Sequence, residues 1–584
     1  MKKQLLIVPI VFLAISAGSL SRLNAQAKHG QDSDRGFRFI PGTLVITRSV
    51  YEGKASTVVN GESLPFGCQG GLTGLTVNVP TTTGGTTPVT VPCGVASDNG
   101  EYPNLHDTHN VWNNANSDPS FGVTSPIFLD DITPDGWTLG TLSVPTDKIV
   151  TSFSSKSELA LNRSVDGRSL TFMGYRGGVG CGGSAVSPTE PNLLDVSQSN
   201  TPGVCDPTNP VISTFSSNPV VPTAYYRAVA EVDADGRIGY TDGNAYSGDN
   251  GRAAIKGHGL YYTVGNDNSG NLSKKQVTTT IAGEELVQTN GVELLVPGAT
   301  APVPPNIAKI GDFEINQVIE PSTGLPYALD KAGKDDNFRG ITIFHDTLYV
   351  TKGSGGNGIN TVYQVGAAGT LPSGDVTTLA AVPITILPGL PHTLASGVSS
   401  TGAATPVAFP FGIWFANDET LYICDEGDGT LVSPAVNGNV ADAASLATAG
   451  IQKWSLVNGS WQMDYVLQDG LQIGIPYSVP NYPADLSPAT GGCRGLTGRV
   501  GDDGVVALYA VTSTLSTSGD QGADPNRLVE VSDRLDAKTL PSGGKGWFGH
   551  FVTLRAAKAG EVFRGVAFAP EGDHDDGHGD NDRE

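Results

Sequence analysis

The sequence contains little of what helical proteins are built from. Charged residues make up only 16% of the chain, and no long stretch places apolar residues at the spacing of a helix. Glycine and proline are abundant instead, at 76 and 38 residues, and they follow no collagen period. This composition is typical of many short strands joined by turns, and it predicts an all-β fold.

Basic residues are also scarce. Lysine and arginine number 35 against 58 acidic residues, which gives a formal net charge of -23 at pH 7. Nucleic acids and anionic membranes attract proteins through basic surfaces. We therefore expect neither as a partner, and expect either a small anionic ligand at a local basic site or a protein partner.

Long apolar runs are absent except at the N-terminus. Two lysines precede the apolar residues 5–20, and small residues follow, with cleavage expected after Ala25 or Ala27. This pattern predicts a signal peptide in residues 1–25. A membrane anchor is the alternative, although the run is short for a span and its end is polar. We expect an exported chain, periplasmic or extracellular, without a membrane span once processed.

Cysteines number only six, and in an exported chain they suggest disulfides. Cys68 and Cys93 bracket one segment rich in glycine, threonine and proline, and Cys181 and Cys205 bracket another. Pairing within each bracket is the simplest expectation, because it closes a long loop in the unfolded chain.

One short pattern recurs along the chain and determines the expected fold. Each copy has a first strand, a polar turn and a second strand, as in residues 337–341 followed by residues 345–350. Further strands follow several copies, and four antiparallel strands per unit form the blade of a β-propeller. The copies lie further apart than the roughly 40–50 residues of compact propeller repeats, so long loops are expected.

The last copy has only its first strand before the chain ends. Residues 42–48, 126–131 and 137–144 can supply the missing strands. A blade built from both chain ends closes the ring and leaves no open sheet edge. We predict one propeller of six blades over residues 36–570, with seven as the alternative because residues 279–320 could contain another.

Three segments are expected to lie outside the blades. Long loop insertions are predicted near residues 61–115 and 176–222. Residues 571–584 form an acidic tail with two histidines and no apolar residue, which predicts disorder.

The blade arrangement predicts the third disulfide. Cys424 ends the second strand of one copy, and Cys493 begins the first strand of the next. Antiparallel neighbours bring these two positions to the same face of adjacent blades. Their Cα atoms should therefore lie roughly 4.4–6.8 Å apart.

The repeat also predicts a ring of side chains at one mouth of the central channel, which first strands line. The ring consists of the residue before the small residue of each first strand: Glu158, Arg252, Arg339, Phe411, Arg494 and Arg564. Second strands end at the same face with Lys352, Asp425 and Glu426. Converging guanidinium groups could hold a carboxylate or phosphate. The alternative is structural, with each arginine pairing with an acid of a neighbouring blade.

Two short aspartate–glycine stretches resemble fragments of calcium loops. One contains Asp233 and Asp235, and the other contains Asp425 and Asp428. Neither carries the later bidentate acid at the expected spacing. Calcium is the one cofactor that these stretches suggest.

Several motifs together resemble a known family. They lie in residues 126–136, 157–175, 450–455 and 563–570, and so are spread over most of the chain. The chain is similar here to secreted bacterial β-propeller proteins without an established activity. The resemblance implies export and a propeller, but no catalytic residues. Several relatives end in an apolar sorting anchor, whereas this chain ends in the acidic tail.

These observations favour a ligand-binding or scaffold protein over an enzyme. The Gly-Xaa-Ser-Xaa-Gly motif of many hydrolases is absent. A calcium-assisted hydrolase or lactonase remains the first alternative, and a purely structural surface protein the second. Propellers serve all three roles, so the fold does not decide between them.

Overall fold

The computed structural model places the propeller in the compact unit Phe37–Glu584. The following residues are described in full: 36–50, 125–153, 155–175, 227–243, 245–246, 250–266, 291–298, 307–329, 335–353, 357–392, 394–395, 408–427, 447–482, 484, 487–514, 522, 524–540 and 548–572. Further short strands are described by their backbone: Ser63–Leu64, Leu75–Pro80, Thr86–Val91, Gly94–Ser97, Asn113–Asn114, Val277–Ile281, Glu284–Gln288, Leu431–Ala435 and Gly438–Ala441. The predicted signal peptide lies outside the described residues, as does nearly all of the acidic tail.

Six antiparallel sheets form the blades, numbered here around the ring with the innermost strand first. Blade 1 contains Glu561–Phe568, Leu44–Val50, Ile127–Ile132 and Thr138–Ser143. Blade 2 contains Asn162–Arg163, Ser169–Arg176, Arg227–Asp233 and Ile238–Gly243, with Ile149–Ser152 and Thr124–Ser125 added at its inner edge. Blade 3 contains Gly251–Gly257, Leu260–Gly265, Gly291–Leu295 and Ile307–Ile310.

The remaining blades follow in chain order. Blade 4 contains Ile341–Phe344, Thr347–Lys352, Ile359–Val365 and Ile384–Ile386, with Thr393–Leu394 paired to its third strand. Blade 5 contains Pro410–Asn417, Thr420–Asp425, Gly450–Val457 and Ser460–Leu467. Blade 6 contains Ala489–Val500, Val505–Leu515, Arg527–Arg534 and Val552–Ala556.

The prediction of six blades is confirmed. Residues 279–320 contribute Gly291–Leu295 and Ile307–Ile310 to blade 3 rather than a seventh blade. Blade 1 closes the ring as expected, because Glu561–Phe568 from the C-terminal region pairs along Leu44–Val50 from the N-terminal region.

Apolar side chains fill the spaces between neighbouring blades. Six clusters of buried residues occur in the described part of the chain, and each joins two consecutive blades. Because a blade is covered on both faces, its second strand is buried without alternation, as in Thr420–Asp425. The outermost strand Thr138–Ser143 is instead largely exposed. Burial between blades therefore holds the inner strands in fixed positions around the channel.

Glycines allow the innermost strands to approach one another closely. A Cβ atom on Gly340 would lie 2.1 Å from the carbonyl oxygen of Phe411 in the next blade. One on Gly412 would lie 2.4 Å from the carbonyl oxygen of Arg494. Thr351 bridges the same approach, since its hydroxyl accepts from Gly340 N and donates to Phe411 O. The small residue of the repeat is thus required by the packing around the channel.

The predicted disulfide between blades 5 and 6 is confirmed. Cys424 and Cys493 are bonded, with their Cα atoms 5.2 Å apart. The cysteines of the other two expected pairs lie outside the described residues, so those pairings stay predictions.

Helices are short in the described part of the chain. Val376–Ala380 is an α-helix whose first turn is capped by Asp375, which accepts from Thr378 N at 2.8 Å. Ile315–Gln317 is a single 3-10 turn. Among the described residues, no helix has the length and hydropathy needed to span a membrane.

Candidate functional site

The innermost strand of blade 2 is split. Ile149–Ser152 pairs with the end of Ser169–Arg176, while Asn162–Arg163 pairs with its beginning. The residues between these two pieces, 153–161, leave the sheet where the channel begins. We call them the crossing segment; residue 154 is not described.

The crossing segment spans the channel mouth. It contacts four other blades. Three of them donate hydrogen bonds to it: Arg564 of blade 1 to Phe153 O, Asn250 of blade 3 to Ser155 Oγ, and Arg339 of blade 4 to Ser157 Oγ. Lys156 forms an ion pair with Glu426 of blade 5. Blade 5 lies opposite blade 2 in a ring of six. The pair between Lys156 and Glu426 therefore joins two sides of the channel.

Glu426 is the acidic centre of this mouth. Its Oε1 lies 3.2 Å from Lys156 Nζ, and its Oε2 accepts from Arg494 Nε at 2.7 Å. Burial acts to raise the pKa of Glu426, but the charges of Lys156 and Arg494 outweigh it and lower that pKa to about 2. Burial lowers the pKa of Lys156 to about 8, and the nearby charges of Arg494 and Arg339 act in the same direction.

All six predicted ring residues are buried at this end of the channel, but they are not all equivalent. In blade 2, Gly565 approaches the carbonyl of Leu159, so Leu159 occupies the position expected for Glu158. In blade 3, Arg252 lies in the bulge between Gly251 and Ala253, as Arg494 does between Cys493 and Gly495 of blade 6. The difference in blade 2 has a local cause, since its innermost strand is split.

The ring side chains bond to groups of the protein. Glu158 accepts from Tyr175 at 2.5 Å and Thr151 at 2.7 Å, and burial raises its pKa. Arg252 donates to Phe338 O at 2.9 Å, at the start of blade 4. Together with the contacts of the crossing segment, these bonds connect each arginine to another blade. The pair of Arg494 with Glu426 of blade 5 is of the kind that the structural alternative expected, an arginine with an acid of a neighbouring blade.

The residues at the ends of the second strands on this face also form hydrogen bonds within the protein. Asp425 accepts from Phe409 N at 2.8 Å and Gly427 N at 2.9 Å, and Gln452 donates to the same carboxylate. Lys352 donates to Asn360 at 3.3 Å.

The two suggested calcium loops lie in different blades. Asp233 and Asp235 lie in an outer turn of blade 2, where Asp233 accepts from the turn's own amides. Asp425 belongs to blade 5, and Asp428 lies outside the described residues. Within the described ranges, no group of three or more His, Cys, Asp or Glu side chains is arranged to hold a metal ion.

The other end of the channel contains a cavity of about 540 Å³. We call it the cup. Every blade contributes lining residues, among them Asn162, Ile255, Thr342, Trp414, Thr497 and Phe568. They follow the ring residues along the same inner strands, so the strands that pack at the mouth also shape the cup.

Aromatic side chains from three blades stand in the wall of the cup. Trp414 leans over the next blade, where a Cβ atom on Gly498 would lie 2.7 Å from its Cζ3. Phe344 has its ring centroid 4.1 Å from that of His345 and 4.9 Å from that of Phe415. Phe568 is half-buried. The cup is therefore lined by aromatic carbon beside hydroxyl and amide groups.

Ionisable side chains at the rim of the cup lie in pairs. Arg163 Nη2 lies 2.9 Å from Glu571, where the acidic tail begins. His258 Nε2 lies 3.0 Å from Asp346, and His345 Nδ1 lies 2.8 Å from Asp418. The two His–Asp contacts connect the inner hairpin turns of blades 3, 4 and 5.

Sequence reasoning identified the mouth and missed the cup. The available signal was an aromatic residue a few positions after the anchor in three copies, at Phe344, Trp414 and Phe568. Lys156 was also missed, because a pattern of strands gives no indication that a segment crosses the channel. Comparison of this chain with protein-family models and with curated proteins finds no match.

Proposed function

We propose that this protein binds a small uncharged ligand in the cup, as a ligand-binding or scaffold protein. The observation that carries the proposal is the cavity of about 540 Å³, which all six blades line. Pockets for small organic ligands measure roughly 300–1,000 Å³ and combine apolar walls with a few polar groups. Thr342, Thr497 and Asn162 supply such polar groups beside Trp414.

The pairing of ionisable groups at the rim supports an uncharged ligand. Arg163 already faces Glu571, and Asp346 already faces His258. A charged ligand would have to compete with these partners and would lose its own hydration on entry. A ligand with a flat ring face would instead gain contact with the aromatic wall.

In this proposal, the arginine ring at the mouth has a structural role. Its arginines bond to a neighbouring blade or to the crossing segment, as with Arg252 and Phe338 O. An anion site there would need space for the ligand among side chains that are almost fully buried, such as Arg494 at 6% exposure.

The test uses a variant that fills the cup. Ligand-observed NMR of the mature chain with neutral sugars and neutral aromatic compounds should give binding signals that Thr342→Trp abolishes. Thr385→Trp is the matched control, because Thr385 lies exposed on the outermost strand of the same blade. The proposal is wrong if no compound distinguishes Thr342→Trp from the wild-type protein, or if Thr385→Trp has the same effect.

A further inference from the structure

Three consecutive blades contribute one side chain each to the same level of the cup. The inner strands of blades 4, 5 and 6 each carry a glycine that packs against the strand of the next blade, which sets the three strands at matching heights. These glycines are Gly340, Gly412 and Gly495. Side chains on one face of a strand recur at every second residue. Two residues after the glycine, the strands place Thr342, Trp414 and Thr497 in the wall of the cup. Trp414 therefore stands between two threonines.

The indole of Trp414 is held in place by its neighbours in the wall. The buried ring of Tyr422 lies beside it, with the two ring centroids 6.0 Å apart and the planes inclined by 28°. Gly498 lies against another part of the indole, since a Cβ atom at that position would overlap with Cζ3. Because the indole is fixed in this way, it offers the cup an apolar surface of constant position.

We infer that the ligand of the cup is a neutral saccharide, whose ring packs on Trp414 and whose hydroxyl groups bond to Thr342 and Thr497. This inference rests on the proposed function and narrows it to one class of compound. The C–H groups on one side of a sugar ring form a flat apolar face, which suits contact with an indole. The hydroxyl groups project from the edge of the ring, toward the threonines on either side.

The two threonines favour a saccharide over an aromatic compound. A ligand that packs on Trp414 displaces water from the hydroxyl groups of Thr342 and Thr497. A hydroxyl that loses its water without gaining another partner costs free energy. A sugar supplies donors and acceptors at its edge, whereas the edge of an unsubstituted aromatic ring supplies neither. The neutrality of the ligand follows from the paired ionisable groups at the rim, as with Arg163 and Glu571.

Asn162 supplies a third polar group on the other side of the cup. It lies in blade 2, which is opposite blade 5 in the ring of six. Its amide nitrogen donates to Ala254 O of blade 3 at 2.9 Å, which fixes the orientation of the amide. The amide oxygen is an acceptor, so it suits a ligand hydroxyl and gives no advantage to a compound without donors. A saccharide, with hydroxyl groups around its ring, thus meets polar groups from three blades.

Ligand-observed NMR with two panels of probes tests the inference. The first panel contains glucose, galactose, mannose, N-acetylglucosamine and disaccharides of glucose. The second contains phenol, indole and benzyl alcohol. We expect a member of the first panel to bind the mature chain, with signals that Thr342→Trp abolishes. It should bind more tightly than any member of the second panel.

Replacing each threonine of the cup by valine removes a hydroxyl and keeps the shape of the side chain. We expect Thr342→Val and Thr497→Val each to weaken sugar binding roughly tenfold, the effect of one lost hydrogen bond, without weakening the binding of an aromatic probe. Trp414→Leu should weaken the binding of both panels, since both pack on the indole. Thr385→Val is the matched control and should change neither, because Thr385 lies exposed on the outermost strand of blade 4.

Failure of this inference and failure of the proposed function give different results. Binding of aromatic probes alone, or sugar binding that both valine variants leave unchanged, overturns the saccharide and keeps a ligand in the cup. If neither panel gives signals that Thr342→Trp abolishes, the proposed function fails, and this inference fails with it.

Discussion

At the level of single residues, Glu426 joins the two sides of the channel mouth. It accepts from Arg494 of blade 6 and faces Lys156 of the crossing segment. Removing one member of a buried charge cluster leaves the others uncompensated, which costs far more than an exposed ion pair contributes. Among the charged residues at the channel mouth, loss of Glu426 should therefore lower the free energy of unfolding most.

The contribution of Glu426 to stability depends on pH. Its folded-state pKa of about 2 lies below the ordinary value of 4.5, so the folded protein favours the ionised form. The stabilisation is present above pH 4.5 and is lost as the pH falls from 4.5 toward 2. At neutral pH it corresponds to about 3 kcal/mol of unfolding free energy.

We expect Glu426→Gln to be less stable than wild type at pH 7 by this amount, with a difference that shrinks as the pH approaches 2. Urea unfolding of both proteins at several pH values measures it. A difference that stays constant from pH 7 to pH 3 would contradict the assignment of the shift to Glu426.

At the level of elements, the innermost strands show what a sequence can and cannot predict. The strands and their pairing follow from the repeat, because each copy carries its own turn and alternation. The position of Glu158 did not follow, since the split strand of blade 2 shifts the alignment between copies. The cup was missed because Trp414, Phe344 and Phe568 meet only when separate blades are assembled.

The close approach of inner strands gives a prediction at this scale. Gly412→Ala places a Cβ atom 2.4 Å from Arg494 O, so one of the two strands must move. We expect a loss of about 3 kcal/mol in unfolding free energy, in the upper range for an overpacked site. Denaturant unfolding measures the loss.

Gly239→Ala is the control for this substitution. Gly239 is an exposed strand residue whose nearest neighbour to an added Cβ is 3.9 Å away. Its unfolding free energy should change by less than about 1 kcal/mol. Equal effects of the two substitutions would show that strand propensity, rather than close approach, decides the outcome.

At the level of the whole molecule, the ring is held by burial between blades and by one described covalent link. Cys424 and Cys493 are separated by 69 residues and join blades 5 and 6. A link across a loop of this length removes conformational freedom from the unfolded chain.

We expect the double substitution Cys424→Ser and Cys493→Ser to lower the unfolding free energy by about 4 kcal/mol. Unfolding without reductant compares the double variant with wild type. The single variant Cys424→Ser should lose as much, since either substitution breaks the link. A loss below about 1 kcal/mol in the double variant would show that the link adds little to the packing between blades 5 and 6.

Blade 1 contains strands from distant parts of the sequence, and this has a consequence for biosynthesis. Leu44–Val50 is synthesised long before its innermost partner, Glu561–Phe568. Until then one edge of the sheet stays open and available to other chains. A nascent chain that stops before residue 561 can assemble five blades but cannot close the circle. Such an incomplete product would present this edge to proteases and to other chains, so protection of the edge begins only when residues 561–568 have been made.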